Sequence, residues 1–219
     1  MPNWCSNTLY IRGDADKVAD FVQRVKLSPE MKEKRGQDYD ILGSLYPTPE
    51  ELTNTVSGFL GDEDKQKALE AQQQENIKKY GHKDWYDWNN AKWGTKWGDC
   101  DTFLHEGSDS VEFSFQSAWS PPIEGIAHIS AMFPELRFVL SYYEDGMGYY
   151  GVTSFDGTGD YLDNCDEYDN IDGRREIDWD GETWEDDIQH NDELVMEAIE
   201  ELVNECLRAI SEEFSDTPL

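Results

Sequence analysis

Pro134-Glu135-Leu136-Arg137-Phe138-Val139-Leu140-Ser141-Tyr142-Tyr143 is the stretch on which the fold turns. Proline ends what precedes it, and the β-branched and aromatic run from Phe138 predicts the strongest strand of the chain. Upstream, Pro121 and Pro122 open a helix whose Ile123, Ile126, Ile129 and Phe133 recur at helical spacing, and Pro134 closes it. Thr102-Phe103-Leu104-His105 and Val111-Glu112-Phe113-Ser114-Phe115 precede that helix as two short strands around a Glu106-Gly107-Ser108-Asp109 turn. Downstream, Glu144-Asp145-Gly146 leads into Tyr149-Tyr150-Gly151-Val152-Thr153-Ser154-Phe155, a hairpin partner for the strong strand.

Towards the N-terminus the same grammar recurs. Thr8-Leu9-Tyr10-Ile11-Arg12-Gly13 alternates and ends at a turn residue, and Asp14 then caps a helix with Val18, Phe21, Val22 and Val25 on one face. Residues 28–40 are polar and charged, which predicts a loop. Asp62 to Tyr80 is rich in Lys, Glu and Gln with few apolar positions, so a helix there is an insertion standing mostly in water. With that insertion set aside, the order is β-α-β-β-α-β plus one extra strand. This predicts an α+β, ferredoxin-like split β-α-β fold: an antiparallel sheet with helices on one face, a helical insertion, and an acidic C-terminal hairpin and helix. Residues 1–160 form the expected domain, with the insertion near 62–80, and residues 161–219 an acidic extension packed on it.

Charge narrows the function classes. The 219 residues carry 48 acids against 18 lysines and arginines, a net −30. Such a chain repels nucleic-acid phosphates and anionic lipid, so neither direct nucleic-acid binding nor membrane association is expected, and a large partner should be basic. Disorder is argued against by 8 Trp, 11 Tyr and 9 Phe, which acidic disordered chains lack. Cys5, Cys100, Cys165 and Cys206 are scattered without a CxxC pair, giving no zinc or dithiol signal and predicting free thiols. No basic stretch followed by an apolar one marks an export leader, so the expected location is the cytoplasm of a bacterial host.

Three segments carry a resemblance: Met1-Pro2-Asn3-Trp4-Cys5-Ser6-Asn7, Lys92-Trp93-Gly94-Thr95-Lys96-Trp97, and Ser117-Ala118-Trp119-Ser120-Pro121-Pro122. Together they resemble the phage- and plasmid-borne proteins with a YubB-type ferredoxin-like domain, over about residues 1–160. The resemblance implies a fold and a mobile-element setting, and brings no catalytic residues with it. The Gln-rich insertion and the acidic tail depart from it.

Residues 156–219 hold 23 Asp and Glu against three arginines, a net −20 of the chain's −30. Leu194 to Phe214 reads as a helix with an apolar stripe at Val195, Ile199, Leu202, Cys206 and Ile210. Glu193, Glu197, Glu201 and Glu205 recur every four residues, which puts successive carboxylates about 6 Å apart along one stripe, a spacing and sign like a phosphate backbone. These four are the expected contact for a basic partner. Glu176-Ile177-Asp178-Trp179-Asp180-Gly181 with Asp187 approximates a calcium loop, but its first and last ligands are of the wrong type and no helix precedes it. A hairpin over 174–187 without specific calcium binding is expected instead.

The rings Trp85, Tyr86, Trp88, Trp93, Trp97 and Trp119 are expected to be chiefly structural, since aromatics fill cores more often than sites. The alternative is a ligand pocket at Trp93, Trp97 and Trp119 with Lys92 and Lys96, suited to a nucleotide. His82, His105, His128 and His190 lie apart, and no glycine loop matches a phosphate cradle. The sequence therefore points to a non-enzymatic protein without cofactor. Its expected role is to inhibit a host defence or nucleic-acid-processing protein by mimicking DNA or RNA, with a small-ligand binder or sponge as the alternative. A homo-oligomer is left open.

Overall fold

The computed structural model describes residues 2–106, 110–175 and 184–215. β1 (Trp4–Arg12) buries Cys5, Asn7, Leu9 and Ile11 on one face, the period of two that alternating side chains impose. α1 (Ala15–Val25) follows, burying Val18, Phe21 and Val25. Asp14 sits at its N-cap and accepts from Lys17 and Val18 through its carbonyl, not its side chain.

The expected loop at 28–40 contains a short helix, α2 (Pro29–Arg35). Its signals were local: Ser28 Oγ accepts from Met31 N, Pro29 occupies the first turn, and Gly36 closes it at φ 73°. Next come α3 (Ile41–Leu45), α4 (Glu50–Thr53), the insertion helix α5 (Glu63–Tyr80) and α6 (Trp85–Lys92). α5 exposes most of its length, and Asn76 ties it down by donating to Thr55 Oγ1 and the Lys83 carbonyl.

β2 (Cys100–Glu106), β3 (Ser110–Ala118), α7 (Ile123–Met132), β4 (Arg137–Glu144) and β5 (Tyr149–Phe155) complete the expected order. A further strand, β6 (Tyr161–Glu167), pairs with β5 and lies beyond the expected order. The sheet runs β2-β3-β1-β4-β5-β6 with every pair antiparallel. Its first four strands are in the ferredoxin-like arrangement.

Two cores lie on the two faces. On the near face, α1, α3 and α7 cover Leu9, Ile11, Phe113, Phe115, Phe138 and Leu140. Phe21 meets Phe113, Phe133 and Phe138 edge-on at 5.1–6.1 Å, geometry that favours the ring quadrupoles. On the opposite face, α8 (Trp184–Ser215) seats Val195, Ile199, Val203 and Ile210 on Val139, Tyr150 and Val152, with Leu202 and Cys206 partly buried beside them. The sheet therefore has helices on both faces: α1 and α7 on one, as in the ferredoxin-like unit, and α8 on the other.

α8 begins ten residues before the helix expected from Leu194. Glu185, Asp186 and Asp187 fill its first turn, where the helix dipole favours acids. That overturns the second half of the expected 174–187 hairpin, since residues 184–187 are helical; residues 176–183 lie outside the described residues. Arg175 is tied to α8 by its backbone N–H and carbonyl, both bonded to Asn191, and by an ion pair to Asp187 at 3.1 Å. Among the described residues no helix is long and apolar enough to cross a membrane.

Candidate functional site

The far face carries the row of four glutamates. Glu193, Glu197, Glu201 and Glu205 are all exposed on α8, opposite the residues that hold the helix to the sheet. Four residues turn a helix by about 400°, so the row drifts round the helix as it climbs. The four acids consequently separate: Gln189 donates to Glu193 at 2.9 Å, whereas Glu201 and Glu205 border a hollow with Asn164 and Asp166 of β6.

β6 is the sheet's edge and all seven of its residues are exposed. It is anchored through Asp163, which accepts from Tyr142 Oη and Thr153 Oγ1, both at 2.7 Å. Tyr142 reaches it by lying across Gly151, where a Cβ would stand 2.4 Å from the hydroxyl. Asp166 and Glu167 add negative charge to this edge, as edge strands that resist unwanted pairing do.

The three quoted motifs meet in space. Asn3 carbonyl accepts from Trp119 N, and the Trp97 carbonyl accepts from Ala118 N. Thr95, fully buried, donates to the Ala118 carbonyl at 2.8 Å, and Ser120 Oγ donates to the Gly94 carbonyl at 2.6 Å. Asn7 donates to Ser117 Oγ at 2.9 Å. Gly94 is required here: its φ is +82° and a Cβ would fall 1.9 Å from the Glu124 carboxylate.

The tryptophans divide between core and surface. Trp93 packs against the near-face core, donates from Nε1 to the Tyr46 carbonyl at 2.9 Å, and meets Trp88 edge-on at 5.7 Å. Trp97 is 37% exposed, with Lys96 Nζ 4.1 Å from its ring and Trp4 6.2 Å away. Trp93 and Trp97 do share a cleft of about 400 Å³, joined by Trp85, Arg35, Thr48 and Asn89. Trp119, Lys92 and Lys96 do not line it. Trp119 is exposed, and its φ of +73° is uncommon for a bulky residue. Arg35 had no sequence signal, because only the fold brings α2 to α6.

Behind the cleft lies a buried acid pair. Asp40 caps α3 by accepting from Gly43 N at 2.8 Å and pairs with Arg35 at 2.7 Å. Asp99 accepts from Ile41 N and from Leu42 N, the latter at 3.0 Å. Burial first, then the charge of Asp40, pushes the Asp99 carboxyl up to about 7, while the two N–H donors oppose the shift.

The family model described as "Ferredoxin-like domain in Api92-like protein" matches residues 92–203. The chain belongs to that family. No curated protein matches it. Among solved structures it is similar to a crystal structure of a protein api92 from Yersinia pseudotuberculosis, at 14% identity and a TM-score of 0.44, covering 77% of this chain and 98% of that one. The Api92-like segment starts inside the Lys92–Trp97 motif, takes in β2 to β6, and ends at Val203 on α8. It holds Trp93 and Trp97 of the cleft and Glu193, Glu197 and Glu201 of the acidic row, whereas Arg35, Trp85 and Glu205 lie outside it.

Proposed function

We propose that this Api92-like protein is a non-enzymatic accessory factor of a phage or plasmid, acting in the bacterial cytoplasm by presenting its acidic far face to a basic, nucleic-acid-binding host protein. The observation that carries this reading is the division of α8: Val195, Ile199 and Val203 fix it to the sheet while Glu193, Glu197, Glu201 and Glu205 face water. Charge held on a packed helix keeps its spacing, which a disordered acidic tail does not. The mobile-element setting rests on the resemblance of the three motifs.

The chemistry of the thiols also favours a binding role. Burial pushes Cys5 up to about 12 and Cys100 up to about 11, so neither offers a thiolate near neutral pH. His128 stacks on Tyr46 at 3.7 Å with its pKa lowered by burial and by Lys92, and no nucleophile accompanies it in that contact.

The test is capture from host lysate on immobilised protein, with a Glu193→Gln, Glu197→Gln, Glu201→Gln, Glu205→Gln variant alongside. The expected result is a nucleic-acid-binding protein that duplex DNA displaces, that elutes steeply with salt, and that the variant fails to retain. Equal retention by the variant removes these glutamates from the contact. A second reading, binding of a nucleotide-like ligand, is favoured by the cleft between Trp85, Trp93 and Trp97 with Arg35 at its edge. Quenching of tryptophan fluorescence by nucleotides, lost in Arg35→Ala, supports it; no change with any nucleotide removes it.

A further inference from the structure

We propose that the groove between α8 and β6 is the docking site for a cationic amphipathic helix on the partner, an inference that rests on the acidic-face reading. The sheet geometry creates the groove. Strands stand about 4.8 Å apart and a helix with its side chains is about 10 Å wide, so one helix covers about two strands. α8 packs on β4 and β5. β6 is the next strand, and its face beside α8 is left open.

The floor of the opening is apolar. It spans about 890 Å³ and continues into a hollow of about 380 Å³ that shares Asn164, Leu202 and Glu205 with it. Leu162 of β6, 65% exposed, faces Leu202, Cys206 and Ala209 of α8 across it. Exposed leucine beside the half-buried stripe of a helix is apolar surface that a second helix can cover, with anchors at i, i+3, i+4 and i+7.

The rim selects the occupant's charge. Asp156, Asp160 and Glu205 border the larger opening, and Glu201 and Asp166 the smaller. Arg137 stands at one end, already donating to the Pro134 and Leu136 carbonyls. A lysine- or arginine-rich helix can bury its apolar stripe on the floor and set its cations against these carboxylates. A second α8 brings like charge to the rim, and nucleic acid has no stripe for the floor.

The test uses the full chain and a synthetic helix of about 18 residues with leucine at i, i+3, i+4 and i+7 and lysine elsewhere, at about 0.15 M salt. A control peptide replaces each leucine by serine and keeps the charge. The amphipathic peptide should bind at least about tenfold more tightly than the control, and Leu162→Ser, a surface change, should weaken it about tenfold. Amide hydrogen exchange should slow over residues 161–167 and 198–210 on binding.

Equal binding of the two peptides, or full affinity in Leu162→Ser, overturns the groove and leaves the acidic-face reading standing. Loss in Leu162→Ser with none in a Glu201→Gln, Glu205→Gln variant overturns the cationic partner. Binding of neither peptide overturns both readings. Self-association of the chain that Leu162→Ser abolishes identifies a second copy as the occupant and overturns the proposal.

Discussion

The aromatic end and the acidic face are built on opposite rules. At the aromatic end, three segments distant in sequence turn their polar groups on one another: Thr95 to Ala118, Ser120 to Gly94, Asn7 to Ser117. Each group there has a partner of fixed geometry, so each identity is constrained by its neighbours. On the acidic face, Glu193, Glu197, Glu201 and Glu205 point to water and share mainly a sign. Their identities are constrained only in sum. Removing one member should therefore cost much at the first region and little at the second.

The sharpest form of this contrast lies within the aromatic end itself. Trp93→Ala removes a ring from the edge of the core and a hydrogen bond from the Tyr46 carbonyl, and should cost about 3–5 kcal/mol. Trp97→Ala keeps the carbonyl that holds Ala118 and Thr95, and loses a half-exposed ring with its Lys96 and Trp4 contacts, for about 1 kcal/mol. Urea unfolding of the two variants measures both. Equal losses would mean that the two rings are held alike.

A smaller effect tests the acids that face inward. Asp99 keeps its proton up to about 7 in the folded chain, whereas an unfolded aspartate releases it near ~4. Between those values the unfolded state has lost a proton that the folded state retains. The contribution of this site to stability therefore falls as pH rises through the window and is level above it. At about 1.4 kcal/mol per unit, the drop should be at most on the order of 4 kcal/mol. Asp40→Asn removes the charge that discourages Asp99 from ionising, so the fall should end at lower pH. Urea midpoints of both proteins between pH 4 and 8 provide the check, and superimposable profiles would detach Asp40 from the titration of Asp99.

The difference between the two regions also explains what the sequence discloses. Short-range signals sufficed where periodicity and punctuation coincide, as in Phe138–Tyr143 after Pro134 or Val18, Phe21 and Val25 after Asp14. β6 was hidden because Asp163, Asp166 and Glu167 disfavour strands, and only an edge open to water accommodates them. The early start of α8 was hidden because residues 184–191 lack the apolar spacing on which the helix was read, and acids in the first turn carry that segment instead. For the sites, the four glutamates were legible as a row and are exposed, whereas the partition of the tryptophans was not. Nothing in the spacing of Trp93, Trp97 and Trp119 says that one packs inward, one borders a cleft and one stands out on a strained backbone.

The last prediction concerns the four glutamates without any partner present. Glu193, Glu197, Glu201 and Glu205 make three like-charge pairs at i and i+4, each opposing the helix by about 0.2–0.5 kcal/mol. The helix persists because Val195, Ile199, Val203 and Ile210 are packed on the sheet. Changing all four to glutamine removes the repulsion and leaves that packing untouched. The variant should therefore be more stable than the parent by about 1 kcal/mol at low salt. The gain should shrink as salt screens the parent's charges, since exposed groups about 6 Å apart lie within a Debye length only while the ionic strength is modest. Urea midpoints in 0.02 and 0.5 M salt, on the order of the two screening regimes, measure it. A loss of stability, or a gain that salt does not alter, would mean that these side chains make stabilising contacts in the free protein beyond the Gln189–Glu193 hydrogen bond and are not held there only as charge for a partner.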